Sequence, residues 1–417
     1  MRILLANSTA YPHQGGVENS LAFMARELIL AGHEVKIFCF QLSPDEPLQM
    51  IHEGVEIIRY PLKSSRWPHR QHMNRVASVK TAMASVLQEF NPDAVWSRAA
   101  TVGVGILRAG YKGTLLQIFP TNARMNCRGA FLQTQGLPVR RRLMLLGLWP
   151  SAYFVSAHFE RELTRRCKAV TFSENMRRQV LTEGGKNCLS CQVIKPGVDS
   201  EMFSPVNGAR YFNEIEREYG LNRSEPIVLY VGRLSCAKHI PLLMDAVLAL
   251  KSKAKLVVVG NGPEEARLND YACRIGLGGR VVFAGAHREM LPGFYAMSRV
   301  CVLPTTIESF GQVYLESLAS GTPAVGFAGD GRRVLTATDE IIRDGKTGGV
   351  VSKVSARALA EKVDAIISLD DKEYAAMSRR AVVDARIRFS WKQFVTEALA
   401  CTLGDLDVRG GAEECQA

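Results

Sequence analysis

What most restricts this chain is one pattern met in both halves: a short apolar run, a glycine-containing turn, then a longer stretch with helical periodicity. In the first half, Ile3–Ala6 leads through Gln14-Gly15-Gly16 into the helical run Val17–Ala31, which Gly32 stops before a strand at Glu34–Phe40. Further strands are expected at Val55–Tyr60, Ala94–Trp96, Leu115–Phe119 and Ala169–Phe172. The pattern restarts with strand Ile227–Val231 and helix Ile240–Lys251, followed by strands Leu256–Val259, Val281–Ala284 and Val300–Leu303. Near-continuous apolar strands alternating with helices belong to parallel sheets covered on both faces. With 417 residues the chain exceeds one ordinary core. The expectation is therefore two Rossmann-like doubly wound domains, whose crevice is the default place for a ligand.

Composition narrows the class. The chain is 47% hydrophobic and 22% charged, with a mean hydropathy of -0.01. No apolar stretch approaches the ~20 residues of a membrane span, and the apolar run at the start is too short for a signal-peptide core. Ten cysteines at irregular spacing fit reduced thiols and a cytoplasmic location. Cys188 and Cys191 are the close pair, with no second pair or His cluster nearby to complete a zinc site.

The net charge of +11 is uneven: residues 1–195 carry 25 Lys/Arg against 13 Asp/Glu, and no acidic residue occurs from Ala94 through Phe159. A solvated basic face is one reading; a surface for an anionic membrane through residues 138–168 is the other, with Arg140–Arg142 and the apolar Leu143–Val155 as anchor. Nucleic acid is not expected, because no binding motif or basic–aromatic interleaving accompanies the charge.

Four clusters carry chemistry. Glu308 and Glu316 stand eight residues apart, and between them Ser309, Phe310, Gly311 and Gln312 form a strand-to-helix turn. Backbone N–H groups and the helix dipole make such a turn an anion cradle. A carboxylate on each side suits a ligand carrying both phosphate and hydroxyls. Val231-Gly232-Arg233-Leu234 with Lys238 ends a strand in glycine and supplies two cations. Fixed cations of this kind can neutralise the charge that develops on a departing pyrophosphate. Gly260-Asn261-Gly262-Pro263 follows the strand KLVVV, and Gly15-Gly16-Val17-Glu18 opens the first helix. The latter is not the G-x-G-x-x-G of dinucleotide enzymes.

In order, GGVE, PGVD (Pro196–Asp199), VGRL…K, GNGP, FAG (Phe283–Gly285), E-x7-E, SGTPAV and DGKTG (Asp344–Gly348) resemble the retaining glycosyltransferases of family 4. The resemblance implies the GT-B fold: two Rossmann-like domains with a deep cleft between them and a C-terminal crossover helix. It places an acceptor domain at 1–195, a nucleotide-sugar domain at 196–388, a returning helix at 389–406 and a tail at 407–417. It implies that Arg233 and Lys238 hold the donor pyrophosphate, that Glu308 contacts the donor sugar, and that Glu316 binds the ribose. Phe310, Gly311, Gln312 and Val313 would supply the amide turn, with Gly232 and Gly262 at the donor, His287 near the base, and Gly15 and Gly16 closing over the phosphate.

It further implies a metal-independent hexosyltransferase without cofactor, moving a sugar from a UDP- or GDP-linked donor with retention. The leaving phosphate would help deprotonate the acceptor. With the basic stretch, a lipid-linked or glycolipid acceptor in cell-surface polysaccharide synthesis is expected, at the inner face of the cytoplasmic membrane. A soluble enzyme with a small sugar or sugar-phosphate acceptor is the rival, and a non-catalytic nucleotide-sugar-binding protein a more distant one. Two departures stand out. Pro120–Arg124 lacks the histidine many relatives carry after the matching strand. The Gly-Gly-x-x-Glu turn after SGTPAV is replaced by the longer Gly329-Asp330-Gly331-Arg332-Arg333 segment before Asp339-Glu340-Ile341.

Overall fold

The computed structural model describes residues 1–12, 16–63, 65, 67–134, 139–185 and 188–404. The chain divides into two compact units. Among the described residues, the first takes in those within Met1–Cys127, those within Pro138–Gly197 and those from Trp391 on; the second takes in those within Arg128–Leu137 and Val198–Ser390.

The first unit is built on an eight-stranded sheet. Its strands are β1 (Arg2–Ala6), β2 (Glu34–Gln41), β3 (Gln49–His52), β4 (Val55–Pro61), β5 (Ala94–Ser97), β6 (Thr114–Phe119), β7 (Lys168–Thr171) and β8 (Ser190–Val193). They lie in the order β3-β4-β2-β1-β5-β6-β7-β8. All pairings are parallel except that of β3 with β4. Ile3, Leu4, Leu5 and Trp96 are fully buried, as central strands covered on both faces must be.

The last helix, Trp391–Leu403, belongs to this unit. Trp96 Nε1 donates to Thr402 Oγ1 at 3.0 Å, and Lys168 Nζ donates to the Cys401 carbonyl at 2.9 Å. Phe394 is fully buried and meets the Phe172 ring edge-on at 6.0 Å. Phe389 and Ser390, expected to begin this helix, instead separate it from the preceding helix Asp371–Arg388.

In the Pro120–Arg124 stretch after β6, Asn122 caps a helix. Its Oδ1 accepts from the Met125 amide at 2.8 Å, and its Nδ2 donates to Gln179 at 3.3 Å. The residue is fully buried, which is a structural use of the position. The expected membrane anchor falls in helix Val139–Arg166, which carries Pro150 in its interior. The side chains of 139–141 and 143–148 lie outside the described residues. Among the described residues no helix is long and apolar enough to cross a membrane.

The second unit has a six-stranded, wholly parallel sheet: β9 (Ile227–Val231), β10 (Lys255–Val259), β11 (Val281–Gly285), β12 (Val300–Leu303), β13 (Ala324–Phe327) and β14 (Gly348–Val351). The order is β11-β10-β9-β12-β13-β14. The first strand in sequence therefore sits inside the sheet, and the chain winds outward from it on both sides. The winding reverses between β9 and β12, so the loops leaving their C-terminal ends part to opposite faces and open a crevice. Val228, Leu256, Val258, Val300 and Val325 form the core below it, together with Leu243 and Leu359 from covering helices.

Candidate functional site

The crevice at the β9–β12 switch point gathers the cations of one loop and a carboxylate of the other. After β9, Gly232 turns the chain with φ +148°, and its amide donates to the Val259 carbonyl at 3.0 Å. The buried Tyr230 hydroxyl donates to the Arg233 carbonyl at 3.1 Å, fixing that peptide while the Arg233 side chain stays exposed. A short 3-10 turn, Cys236–Lys238, then aims Lys238 across the sheet. Its Nζ lies 2.6 Å from Glu308 Oε2, and both side chains are only partly exposed.

A second link runs beside the first. His239, in a left-handed conformation at φ +51°, places Nε2 3.1 Å from Thr306 Oγ1, and burial lowers its pKa. The loops after β9 and β12 are thus tied by two adjacent side-chain contacts.

The Gly260–Pro263 turn presses against the same loop. The Leu234 amide donates to the Asn261 carbonyl at 3.0 Å, and the Glu264 amide donates to the Leu234 carbonyl at 3.2 Å. A Cβ on Gly262 would stand 2.1 Å from the Leu234 oxygen, so only glycine permits this backbone-to-backbone approach.

From Glu308 the chain turns through Phe310 and Gly311 into helix Gln312–Ala319. Gly311 stands at that helix's N-cap with φ +93°, and Phe310 is buried against Phe389 with ring centroids 6.0 Å apart. The first-turn amides of such a helix, Gln312 and Val313 included, have no acceptors within it. Glu316 is its fifth residue, one turn in. Its Oε2 accepts from the buried Tyr295 hydroxyl at 2.8 Å, and burial pushes its carboxyl up to about 7.

His287 follows β11, as expected. Its Nε2 lies 2.7 Å from both the Ala284 carbonyl and the Tyr219 hydroxyl, so the ring is tied to its own strand end. Gly15 lies outside the described residues, and for Gly16 only its place at the start of helix Gly16–Leu30 is described.

The structure brings together Gly232, Arg233, Lys238, Gly262, Glu308 and the 310–313 turn around one switch point. Several supporting residues had no signal in the sequence. Tyr295 holds Glu316 from a helix 21 residues upstream. Leu335 pairs by its backbone with the loop after β12: the Glu308 amide donates to its carbonyl at 2.9 Å, and its amide donates to Thr306 at 2.8 Å.

Comparison with known proteins agrees with this geometry. Residues 212–382 match the family model for glycosyl transferases group 1, and residues 15–187 match the glycosyl transferase 4-like domain. The chain is 25% identical over 395 residues to a GDP-mannose-dependent alpha-(1-6)-phosphatidylinositol monomannoside mannosyltransferase of Mycolicibacterium smegmatis, covering 90% of this chain and 91% of that protein. It is 29% identical over 346 residues to a GDP-mannose-dependent alpha-mannosyltransferase of the same organism, covering 81% and 82%. Among solved structures, sucrose-phosphate synthase from Thermosynechococcus elongatus superposes with a TM-score of 0.76 at 22% identity, covering 97% of this chain and 99% of that one. With the motif order and the two doubly wound units already described, these matches assign the chain to the family 4 glycosyltransferases of GT-B fold.

Proposed function

We propose that the chain transfers mannose from GDP-mannose, with retention and without a metal ion, to an acceptor on a lipid or glycolipid. The Lys238–Glu308 pair at the β9–β12 switch point carries the reading, because it sets a cation and a hydroxyl-reading carboxylate 2.6 Å apart at the mouth of a nucleotide-type sheet. The mycobacterial relatives named for GDP-mannose, which this chain matches over most of their length, support the choice of donor.

In this mechanism Glu308 accepts from hydroxyls of the donor sugar, and Glu316 accepts from those of the ribose. Arg233 and Lys238 face the pyrophosphate with the 310–313 turn. The bond from the sugar's anomeric carbon to phosphate breaks, and the acceptor oxygen bonds to that carbon on the same face. The acceptor proton passes to the departing phosphate oxygen, and GDP leaves with its added charge held by the two cations. Fixed charges of this kind act without reorganisation as the charge develops.

A thermal-shift panel of GDP, UDP and ADP tests the donor, since a ligand of the native state raises apparent stability by mass action. GDP is expected to give the largest shift. Arg233→Ala and Lys238→Ala should each slow release of mannose from GDP-mannose by on the order of 10²-fold. Undiminished turnover in both variants would end this reading.

A further inference from the structure

The segment that replaces the family's short glycine turn is held rigidly, and it carries two arginines beside the Glu308 turn. Its start is fixed by the Gly329 amide donating to Asp339 Oδ1 at 3.0 Å. Its end is fixed by the Leu335 pairing with Thr306 and Glu308. Between these ends Asp330 Oδ1 accepts from the amides of Arg332, Arg333 and Val334 at 2.7, 2.7 and 2.8 Å. The Asp330 amide donates to the Val334 carbonyl at 3.0 Å. On the other side of the same peptides, the Arg128 guanidinium donates to the Arg332 and Arg333 carbonyls.

Both peptide units are therefore committed, and the two side chains project into solvent. Among the described residues neither guanidinium lies within ion-pair distance of a carboxylate. Arg333 is two residues from Leu335, so its Cα lies within about 7 Å of the residue bonded to the Glu308 amide. Asp330 spends its Oδ1 on backbone amides, so the exposed Arg332 and Arg333 side chains give the loop an excess of positive charge directed outward.

From this arrangement we infer that Arg332 and Arg333 form a phosphate subsite for the acceptor. The inference rests on the proposed function, which already assigns the donor pyrophosphate to Arg233, Lys238 and the 310–313 turn. A second pair of cations, on the segment whose end pairs with Thr306 and Glu308, is then left for the incoming substrate. Guanidinium groups bind phosphate oxygens in fork geometry, and here the backbone that carries them is already fixed. The subsite would hold the acceptor while its hydroxyl meets the anomeric carbon.

The experiment saturates the protein with GDP and then titrates glycerol 3-phosphate and, separately, phosphatidylglycerol in neutral detergent micelles. Wild type should bind a phosphate probe with GDP already in place. Arg332→Ala/Arg333→Ala should bind it about tenfold more weakly or worse, with GDP affinity as the check on folding, and the double Lys variant should recover part of the loss. Arginine-dependent binding of both probes assigns the subsite to phosphate itself; binding of the micelles alone assigns it to a lipid-borne phosphate. Equal binding by wild type and the double Ala variant, or no phosphate binding by wild type, overturns the inference. Failure to bind GDP would instead sink the donor reading, and titration without nucleotide would still compare the two proteins on the same criterion.

Discussion

Glu316 shows how much one partly buried carboxyl can impose on the stability of a fold. The residue is partly buried, its Oε2 accepts from the buried Tyr295 hydroxyl, and burial raises its carboxyl to about 7. In the unfolded chain the same group titrates near the ordinary value of 4.5. Between those values the folded protein keeps a proton that the unfolded chain has released, so stability falls as pH rises through the window. Glu160, buried in the first unit and pushed up to about 8, acts in the same direction, so the wild-type slope has at least two sources. Glu316→Gln isolates one of them. Glutamine keeps an oxygen for the Tyr295 hydroxyl and has no proton to lose. The variant should match wild type in denaturant unfolding near pH 3.5, below both values, and exceed it near pH 8.5 by on the order of 3 kcal/mol. By the proposed function it should also bind GDP less well, because a neutral amide would replace the carboxylate assigned there to the ribose. Equal stability of the two proteins at both pH values would mean that Glu316 ionises freely in the fold.

At the scale of the element, the turn into helix Gln312–Ala319 depends on one conformation. Gly311 has φ +93°, and a Cβ there would lie 2.6 Å from Tyr314 Cδ2. The Tyr314 ring cannot move aside: it is buried, and its hydroxyl meets Thr338 Oγ1 at 3.2 Å. Gly311→Ala is therefore expected to cost on the order of 1–3 kcal/mol and, by the proposed function, to weaken GDP binding by displacing the first-turn amides. A melting temperature and GDP affinity both equal to wild type would show that the turn tolerates a side chain. This turn was legible in the sequence because an apolar strand, a connecting loop ending in glycine and a helical run follow one another. So were β9 and β10, whose continuous apolar runs IVLYV and KLVVV are what a doubly covered strand requires. β3 was not: QMIH is a short, partly exposed edge strand pairing antiparallel, and it needs no apolar signal. Contacts between elements were harder still. Lys238 and Glu308 are 70 positions apart, and only the sheet order places β12 beside β9. The Leu335 clamp is a single bridge, with no periodicity to betray it.

At the scale of the whole chain, the two units should respond separately to two perturbations. The last helix follows the second unit in sequence and is packed into the first, where Phe394 fills a fully buried position between Phe172 and Trp391. Cutting that ring back to a methyl leaves a cavity among side chains that are themselves held in place. Phe394→Ala should then cost about 3–5 kcal/mol. The loss should appear as faster amide exchange in β6 and β7, the strands this helix touches. GDP, by the proposed function, engages the loops after β9 and β12 in the second unit. Adding it should slow exchange there, around 232–238 and 308–316, in wild type and Phe394→Ala alike. Exchange that rises in both units of the variant and is restored in both by GDP would mean that the chain unfolds as one cooperative body. Exchange that changes in each unit independently would place the stability of the returning helix in one fold and the donor chemistry in the other.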